Sequence, residues 1–509
     1  MTRTSTTTPL APSASGTPAA APPASGTPAA ASPSGTLSPL ALTVLLVAFV
    51  PVNYTFGAVN IALPSIGTDL SASAGMLGLV LAVYTTTFAA TLVVGGRLGD
   101  RFGRRRALAA GLVGFVVLSV ASALVTSAVQ LVVVRGALGV ASGVLAPQVL
   151  ATIQETTRGP GRARAVALFV AVSGGATVVG QVLGGVVLAA ASPHAGWRLV
   201  QVAGAAVALV GLAGLRAVPA TRSTVRSLDL PGAALLAPAL LALVVPLTVG
   251  STHGWPAWSL VLLAAAVALV AAFVLRERHT ERAGLVALVP PSVVREPTVA
   301  LGLTMVLLFF VGYGAFSYEV ASYTQHALGL SAFGSAMTVL LFAATFITTS
   351  LLVPRVARRL GPSTMPLASL VQVVTLVALA ALVATVGFRQ PVVQPLLAVL
   401  GVSQAVMYGP VLAAVLARTP TWAAGAVSGL FTTVQQLGLS FGVALLGGLY
   451  VAVSAHATTG AGAGGAGTSG AVHGLGVGFA VALAVQAATA AVFGLLALRI
   501  TRVEPSERA

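Results

Sequence analysis

The stretch GGRLGDRFGRRR, from Gly95 to Arg106, lies between two long uncharged stretches of the chain. Part of it, the pattern R-x-x-x-R-x-G, recurs 258 residues later, again between apolar stretches. The two copies are formed by Arg97, Arg101 and Gly103 and by Arg355, Arg359 and Gly361. A pattern that returns at a fixed offset indicates an internal repeat.

The same offset of 258 residues relates two pairs of glycines in other apolar stretches. It places Gly180 and Gly184 on Gly438 and Gly442. We therefore expect two similar halves, each a set of membrane helices, which is how many transporters are built.

The composition indicates a membrane protein. Of 509 residues, 57% are apolar and 7% are charged, and the mean hydropathy is +0.99. Soluble domains carry about 25% charged residues. Apolar windows of about 20 residues, enough to cross a hydrocarbon core, follow one another from Pro39 to Leu498. Continuous apolar runs lack the alternation of a barrel strand, so the predicted fold class is an all-α polytopic membrane protein.

The apolar windows predict about fourteen transmembrane helices. They cover residues 40–64, 76–96, 107–127, 129–152, 165–191, 199–217, 231–250, 258–275, 298–321, 333–353, 366–386, 392–417, 424–452 and 474–498. The offset maps the first helix onto the ninth, so six helices repeat as two pseudo-symmetric bundles and two central helices are an insertion.

This organisation divides the chain into five parts. We expect a disordered tail, an N-terminal six-helix bundle, two inserted helices with a linker, a C-terminal six-helix bundle and a second tail. They cover residues 1–38, 39–218, 219–297, 298–498 and 499–509.

Most of the 26 basic residues, all of them Arg, lie in loops and tails on one side of this topology. With the N-terminal tail inside, the outside loops hold only Arg198 and Arg389. By the positive-inside rule both termini are predicted to be cytoplasmic. The topology accounts for the net charge of +16 without a nucleic-acid partner.

The residues that the chain lacks exclude several chemistries. With no Cys, disulfides and thiolate sites are impossible. With no Lys, a Walker loop cannot form, which argues against ATP-driven pumping by this chain. The six His are scattered, so we expect no enzymatic or metal site.

Glu319, in LFFVGYGAFSYEVASY, is the only acid well inside an apolar span. An acid near a helix centre costs about 2.5–3.5 kcal/mol on insertion scales, and such residues usually have a function. The offset aligns Glu319 with Ile61, next to Asn60, toward the outer part of a cavity between the halves. We expect Glu319 to bind and release a coupling proton; the alternative is a wetted, structural position near the outer interface.

Arg135, in QLVVVRGALGVASG, is the other candidate for a buried charge. In a coupling role its partner would be Glu319 or the substrate. The alternative is that its side chain reaches the nearby outer interface.

Polar residues within the predicted spans are candidates for lining the substrate cavity. They are Asn53, Thr55, Asn60, Tyr84, Gln148, Gln181, Tyr323, Gln435 and Gln436. Asn53 and Asn60 are seven residues apart and so share a helix face. Because polar side chains also bridge membrane helices, a structural role stays open for each.

Asp100 lies among five arginines of the repeated stretch. We expect it to cap a neighbouring helix and to pair with Arg, which would hold the halves together on the cytoplasmic face. The alternative is a solvated turn that only sets topology. The closely spaced glycines favour the first role. The candidate residues are Gly96, Gly99, Asp100, Arg101, Gly103, Arg104 and Arg105.

With these motifs in hand, the chain resembles the major facilitator superfamily, and within it the fourteen-span drug:proton antiporters. GRLGDRFGRRR is similar to the family's loop motif. Arg135 with Gly139 and Pro147 resembles its fourth-helix motif, and GQVLGG (Gly180 to Gly185) its fifth-helix antiporter motif. The similarity extends from about residue 40 to 500.

Two departures from the family pattern bear on mechanism. Thr55 stands where these antiporters usually carry an acid, which shifts the expected proton-binding role onto Glu319. Arg358 stands where Asp100 would repeat, so the expected cytoplasmic lock is one-sided.

The resemblance implies a proton-coupled exporter of amphipathic small molecules such as drugs or antibiotics, working by alternating access in the bacterial cell membrane. We expect no cofactor, the proton as coupling ion, the bilayer as surroundings and a monomer. A facilitator or importer of a neutral metabolite on the same fold is the alternative, and a non-transporting sensor or scaffold is a more remote one.

Overall fold

The computed structural model describes residues 37–220, 229–250, 254–285, 287–460 and 468–503. The expected N-terminal tail up to residue 36, residues 461–467 of a glycine-rich connection and the end of the C-terminal tail lie outside these ranges. Within them the fold is all-α, as predicted, with no β-strand.

Six long helices form the first part of the chain: α1 Pro39–Asp69, α2 Ala74–Phe102, α3 Arg104–Leu124, α4 Ala128–Thr156, α5 Gly159–Ala190 and α6 Pro193–Ala213. Serines begin several of them, because the side chain of an N-cap Ser accepts a hydrogen bond from a free backbone N–H of the first turn. Ser73 caps α2, Ser127 caps α4 and Ser192 caps α6 in this way.

An inserted pair follows, α7 Leu230–Val249 and α8 Ala257–Arg282, and then the short helix α9 Pro291–Val294. The second part contains α10 Pro297–His326, α11 Ala332–Thr338, α12 Leu340–Leu360, α13 Thr364–Thr385, α14 Gln390–Ala417, α15 Ala424–Phe441, α16 Gly448–Gly460 and α17 Thr468–Val503. A π-helical turn, Gly442–Gly447, joins α15 to α16.

Twelve helical segments among the described residues are long and apolar enough to cross a membrane. One of them, Leu340–Thr385, contains both α12 and α13, which turn at Gly361, and α7 holds a shorter apolar segment, Pro231–Leu247. Each of the fourteen predicted helices has a helical counterpart. The number of membrane crossings stays a prediction.

Several predicted boundaries were wrong. Gly95 to Phe102, predicted as mostly loop, are the last two turns of α2, and Gly103 alone separates α2 from α3. Gly103 has φ 90°, a conformation that suits glycine. Arg162 and Arg164, predicted in a loop, lie in α5, because Pro160 is tolerated in the first turn of a helix.

The internal repeat is visible in the packing. Gly180 lies against the backbone of Tyr54 in α1, where a Cβ would come within 2.4 Å of its carbonyl oxygen. Gly438, the offset partner of Gly180, lies against α10, where a Cβ would come within 2.7 Å of the Phe310 side chain and 2.9 Å of the Leu307 carbonyl oxygen. Small residues let membrane helices approach closely, and α5 therefore packs on α1 as the α15 region packs on α10.

The two parts of the chain meet along two main helix pairs. Helix α2 packs on α15, and α5 packs on α12. The inserted helix α7 packs against α2 and contacts α15. We call the side of the molecule that carries the α2–α3 and α12–α13 turns the arginine-rich face.

Candidate functional site

A small cavity lies at the centre of the helix assembly, with a volume of about 10 Å³. This is room for about one water molecule. Its walls come from α1, α2, α4, α5, α14 and α15, and so from both parts of the chain. The lining residues are Phe49, Asn53, Phe88, Leu150, Phe169, Ser173, Tyr408, Phe431, Thr432, Gln435 and Gln436.

The lining combines aromatic rings with uncharged polar groups. Phe49 and Phe169 lie 4.8 Å apart between ring centres, and Tyr408 and Phe431 lie 6.2 Å apart. Amide groups from Asn53, Gln435 and Gln436 supply donors and acceptors. Such walls can bind flat apolar surfaces and direct a few hydrogen bonds.

Asn53, Gln435 and Gln436 are the predicted cavity residues that line it. Gln148 is elsewhere: its Nε2 donates to the carbonyl oxygens of Gly95 and Val144, which braces α4 against α2. The cavity prediction was therefore wrong for Gln148, since a buried amide in a span also serves to join helices.

The other predicted cavity residues also lie outside the lining. Half-buried Asn60 donates a hydrogen bond to the carbonyl oxygen of Phe56. Half-buried Gln181, on α5, lies beside Gly57 of α1. Tyr323 stacks on Phe479 at 5.3 Å and faces a separate groove near the start of α17.

Thr55 and Tyr84 surround Arg135, which is fully buried. Arg135 donates from Nη1 to the Thr55 hydroxyl at 3.2 Å and from Nε to the carbonyl oxygen of Val80 at 3.1 Å. Its guanidinium lies 4.8 Å from the centre of the Tyr84 ring, a cation–π geometry. Arg135 does not reach an interface, and its contacts do not include Glu319, so these two expectations were wrong. A contact between Arg135 and the substrate stays a prediction.

Tyr84 is fixed in turn by its hydroxyl group. The hydroxyl donates to the carbonyl oxygen of Val52 at 2.8 Å and lies 3.1 Å from the Ser142 hydroxyl. Tyr84 thus ties α2 to α1 and α4 beneath the guanidinium of Arg135.

Glu319 is fully buried, but against α17 and not in the central cavity. Its Oε2 accepts a hydrogen bond from Gln486 Nε2 at 2.6 Å. Its Oε1 has no hydrogen-bond partner among the described residues, and no cation there lies within ion-pair distance. The expected place on the cavity was wrong because the side chain leaves α10 on the face that packs on α17.

Asp100 lies in the last turn of α2, on the arginine-rich face, and its carboxyl group contacts the start of α15. It accepts a hydrogen bond from the backbone N–H of Gly425 and pairs with Arg104 at 3.1 Å and with Arg97 at 3.7 Å. Arg104 also pairs with Glu155 at the end of α4, at 2.6 Å. One carboxylate thus joins the end of α2 to the first turn of α15.

The glycines of this stretch are sites of close backbone contact. A Cβ on Gly96 would lie 2.2 Å from the carbonyl oxygen of Gly425, and one on Gly99 would lie 1.8 Å from Gln148 Oε1. Arg101 is exposed, over the ring of Phe102, and Arg105 donates to the carbonyl oxygen of Val218 at 3.4 Å.

The two parts of the chain contact each other on both sides of the cavity. On the arginine-rich face, Gln154 Nε2 donates to the carbonyl oxygen of Leu416 at 2.9 Å, beside the Asp100 contact. Toward the other face, Gly174 lies against Phe346 and Gly185 against Phe333. A drug-sized ligand needs a pocket of about 300–1,000 Å³, so the helices must separate to admit one.

The aromatic half of the lining was missed by the sequence reasoning. Phe49, Phe88, Phe169, Tyr408 and Phe431 lie in apolar spans that hold many such side chains, so their types do not reveal which of them face the centre. Tyr408 alone carried a usable signal, a polar atom in the middle of a predicted span.

Comparison with known proteins identifies the family. A profile described as Major Facilitator Superfamily matches residues 45–230 and 230–443. The chain belongs to the major facilitator superfamily. A solved proton:xylose symporter, XylE, aligns over 90% of this chain and 94% of its own with a TM-score of 0.62. At 16% sequence identity it shares the fold alone.

Several curated relatives are named as antibiotic transporters, export proteins or resistance proteins. The chain is 32% identical to the probable actinorhodin transporter of Streptomyces coelicolor, over 79% of this chain and 70% of that protein. It is 32% identical to the puromycin resistance protein pur8 of Streptomyces alboniger, over 80% of each chain. It is 33% identical to the cephamycin export protein CmcT of Amycolatopsis lactamdurans, over 83% and 86%. The resemblance to the drug-efflux group is confirmed.

Proposed function

We propose that this protein exports amphipathic small molecules, of the antibiotic or drug type, in exchange for protons. The observation that carries the proposal is the cavity shared by both parts of the chain, with aromatic and amide walls and no charged side chain among its lining residues. The relatives named for export of actinorhodin and cephamycin and for resistance to puromycin support this direction of transport.

The uncharged lining favours neutral or weakly polar ring systems as substrates. A cationic drug would leave its charge without a carboxylate in this cavity, and burying an unpaired charge is costly. Thr55 stands where the family usually carries an acid, and this uncharged residue likewise supplies no carboxylate for a cationic drug.

In this proposal Glu319 carries the proton. A carboxylate buried beside a neutral amide is costly, so the site favours a carboxyl group that holds a proton. Because Glu319 packs on α17, proton binding would act on substrate through the packing of α10 against α17. The arginine-rich face is proposed to be cytoplasmic, with both termini on that side of the cell membrane, and the transporter is proposed to act as a monomer.

The test is transport into inverted membrane vesicles from a host without its own efflux pumps, with a panel of neutral and cationic antibiotics. We expect uptake that follows the proton gradient and favours neutral compounds. Gln435→Ala should raise the KM for a transported compound several-fold, because it removes an amide from the cavity wall.

Gln181→Ala is the matched control, since Gln181 lies outside the cavity lining, and it should leave the KM unchanged. Equal effects of the two variants, or uptake that persists when a protonophore removes the gradient, would contradict the proposal.

A further inference from the structure

Two buried carboxyl groups meet where the inserted helices join the arginine-rich face. Asp229 is the N-cap of α7, and Glu277 lies in the last turns of α8. Glu277 is 2% exposed, and its carboxyl group contacts that of Asp229. Neither residue lies in the central cavity or contacts Glu319.

Their remaining contacts leave one oxygen on each group facing the other. Asp229 Oδ1 accepts from Arg276 Nη2 at 2.8 Å and from the Gly232 N–H at 2.9 Å. Glu277 Oε2 accepts from the Val289 N–H at 2.7 Å. Asp229 Oδ2 and Glu277 Oε1 have no other hydrogen-bond partner among the described residues.

Gly232 makes room for this contact. A Cβ at that position would lie 2.5 Å from Asp229 Oδ2 and 2.7 Å from Glu277 Oε1. Any side chain there would push the two carboxyl groups apart, so the glycine in the first turn of α7 is part of the arrangement.

The nearby cations are already engaged. Arg276 pairs with Asp229. Arg97 of α2 is also close, but its guanidinium donates to the carbonyl oxygens of Leu288, at 2.7 Å, and Ala287, and it faces Asp100. Among the described residues, no cation lies within ion-pair distance of Glu277.

We propose that Asp229 and Glu277 form a second proton-binding site. In this site Glu277 carries one proton and donates it in a hydrogen bond to Asp229 Oδ2. Two ionised carboxylates in contact repel each other, and a shared proton converts this repulsion into a charge-assisted hydrogen bond. Burial raises the pKa of Asp229, but the hydrogen bonds from Arg276 and Gly232 hold it below its usual range. Asp229 therefore accepts the hydrogen bond, and Glu277 carries the proton.

This proton stabilises the attachment of the inserted pair to α2. Residues 287–289 are held from one side by Arg97 and from the other by Glu277. Loss of the proton separates Glu277 from Asp229 and loosens that segment at the point where α2 also meets α15. The inference does not depend on export as the function, because it concerns groups outside the cavity.

Infrared spectroscopy of the full chain in lipid nanodiscs tests the site. At pH 7 exposed carboxyl groups are ionised, since their pKa values are about 4, so a carboxylic-acid C=O band reports a buried proton. The Glu319→Gln background removes the other buried carboxyl group that has no cation partner among the described residues, whereas buried Asp100 is paired with Arg97 and Arg104. We expect the single variant Glu319→Gln to show the band. The double variant, which also carries Glu277→Gln, should lack it.

Gln at position 277 keeps a donor for Asp229 and an acceptor for Val289, so the variant should fold. If the Glu277 variant does not fold, Asp229→Asn in the Glu319→Gln background is measured instead. This substitution removes the negative charge of Asp229 that holds the proton on Glu277. An unchanged band, or no band in the Glu319→Gln background, would overturn the proposal.

Discussion

Arg135 is a charged residue that is buried without a counter-ion among the described residues. Its guanidinium has an uncharged hydroxyl, a carbonyl oxygen and an aromatic ring as partners, and its Nη2 has no hydrogen-bond partner among the described residues. Burying a charge without a counter-ion is costly unless hydrogen bonds and ring contacts compensate. Thr55 is therefore a required partner of Arg135.

Thr55→Val should destabilise the protein by about 1–3 kcal/mol, the usual cost of leaving a buried polar group without a partner. Valine keeps the shape of threonine and removes only the acceptor for Arg135 Nη1. Thermal unfolding in detergent measures the change. The control is Thr43→Val in the same helix, where the threonine is exposed and donates a hydrogen bond to the carbonyl oxygen of Pro39 within its own helix. Equal melting temperatures for the two variants would show that Thr55 does not support Arg135.

For single residues, the sequence predicted which charged side chains are buried, but it did not predict which neighbours they contact. Glu319 and Arg135 were recognised as buried charges because acids and arginines are rare in spans, and both are fully buried. Their partners, Gln486 and Thr55, depend on which face of each helix turns toward which neighbour. A single apolar span carries no periodicity that reveals this.

Among the elements, the junction of α2 with α15 depends on close backbone contact. Gly96 and Gly425 allow the two helices to meet, and Asp100 accepts from the first turn of α15. The repeated sequence pattern predicted where the turns fall, including Gly361, which has φ 54°. It did not predict that the motif is helical up to Phe102, because glycines and charges are typical of loops.

Gly425→Ala should open the α2–α15 junction. A Cβ there would lie 2.3 Å from Asp100 Oδ1, so the carboxylate must leave its place. Because the chain has no Cys, spin labels on two introduced cysteines can report the distance between the ends of α2 and α15. We expect a longer, broader distance distribution and transport reduced several-fold.

Gly448→Ala provides the control for this substitution, since no atom of the described residues would lie within 4 Å of a Cβ at that position. It should leave both the distance and transport unchanged. An unaltered α2–α15 distance in Gly425→Ala would mean that the junction tolerates a side chain.

Across the whole molecule, two repeated helix sets close around a cavity of about 10 Å³. The all-α class and the repeat could be predicted from composition and from the 258-residue offset, and the family from the resemblance of motifs such as GRLGDRFGRRR to its own. The contacts on both sides of the cavity could not, because they depend on how the sets pack against each other. A cavity this small accepts a drug-sized molecule only if one face opens, which is the physical basis for alternating access.

The proposed mechanism has export driven by protons bound at Glu319, a buried acid outside the cavity lining. It is tested most directly by comparing Glu319→Gln with the unmodified protein in liposomes, under an imposed pH gradient and in gradient-free substrate exchange. Glutamine keeps the hydrogen bond from Gln486 but cannot titrate, so the account predicts that exchange persists while gradient-driven accumulation is lost. Accumulation at the unmodified level in Glu319→Gln would contradict it.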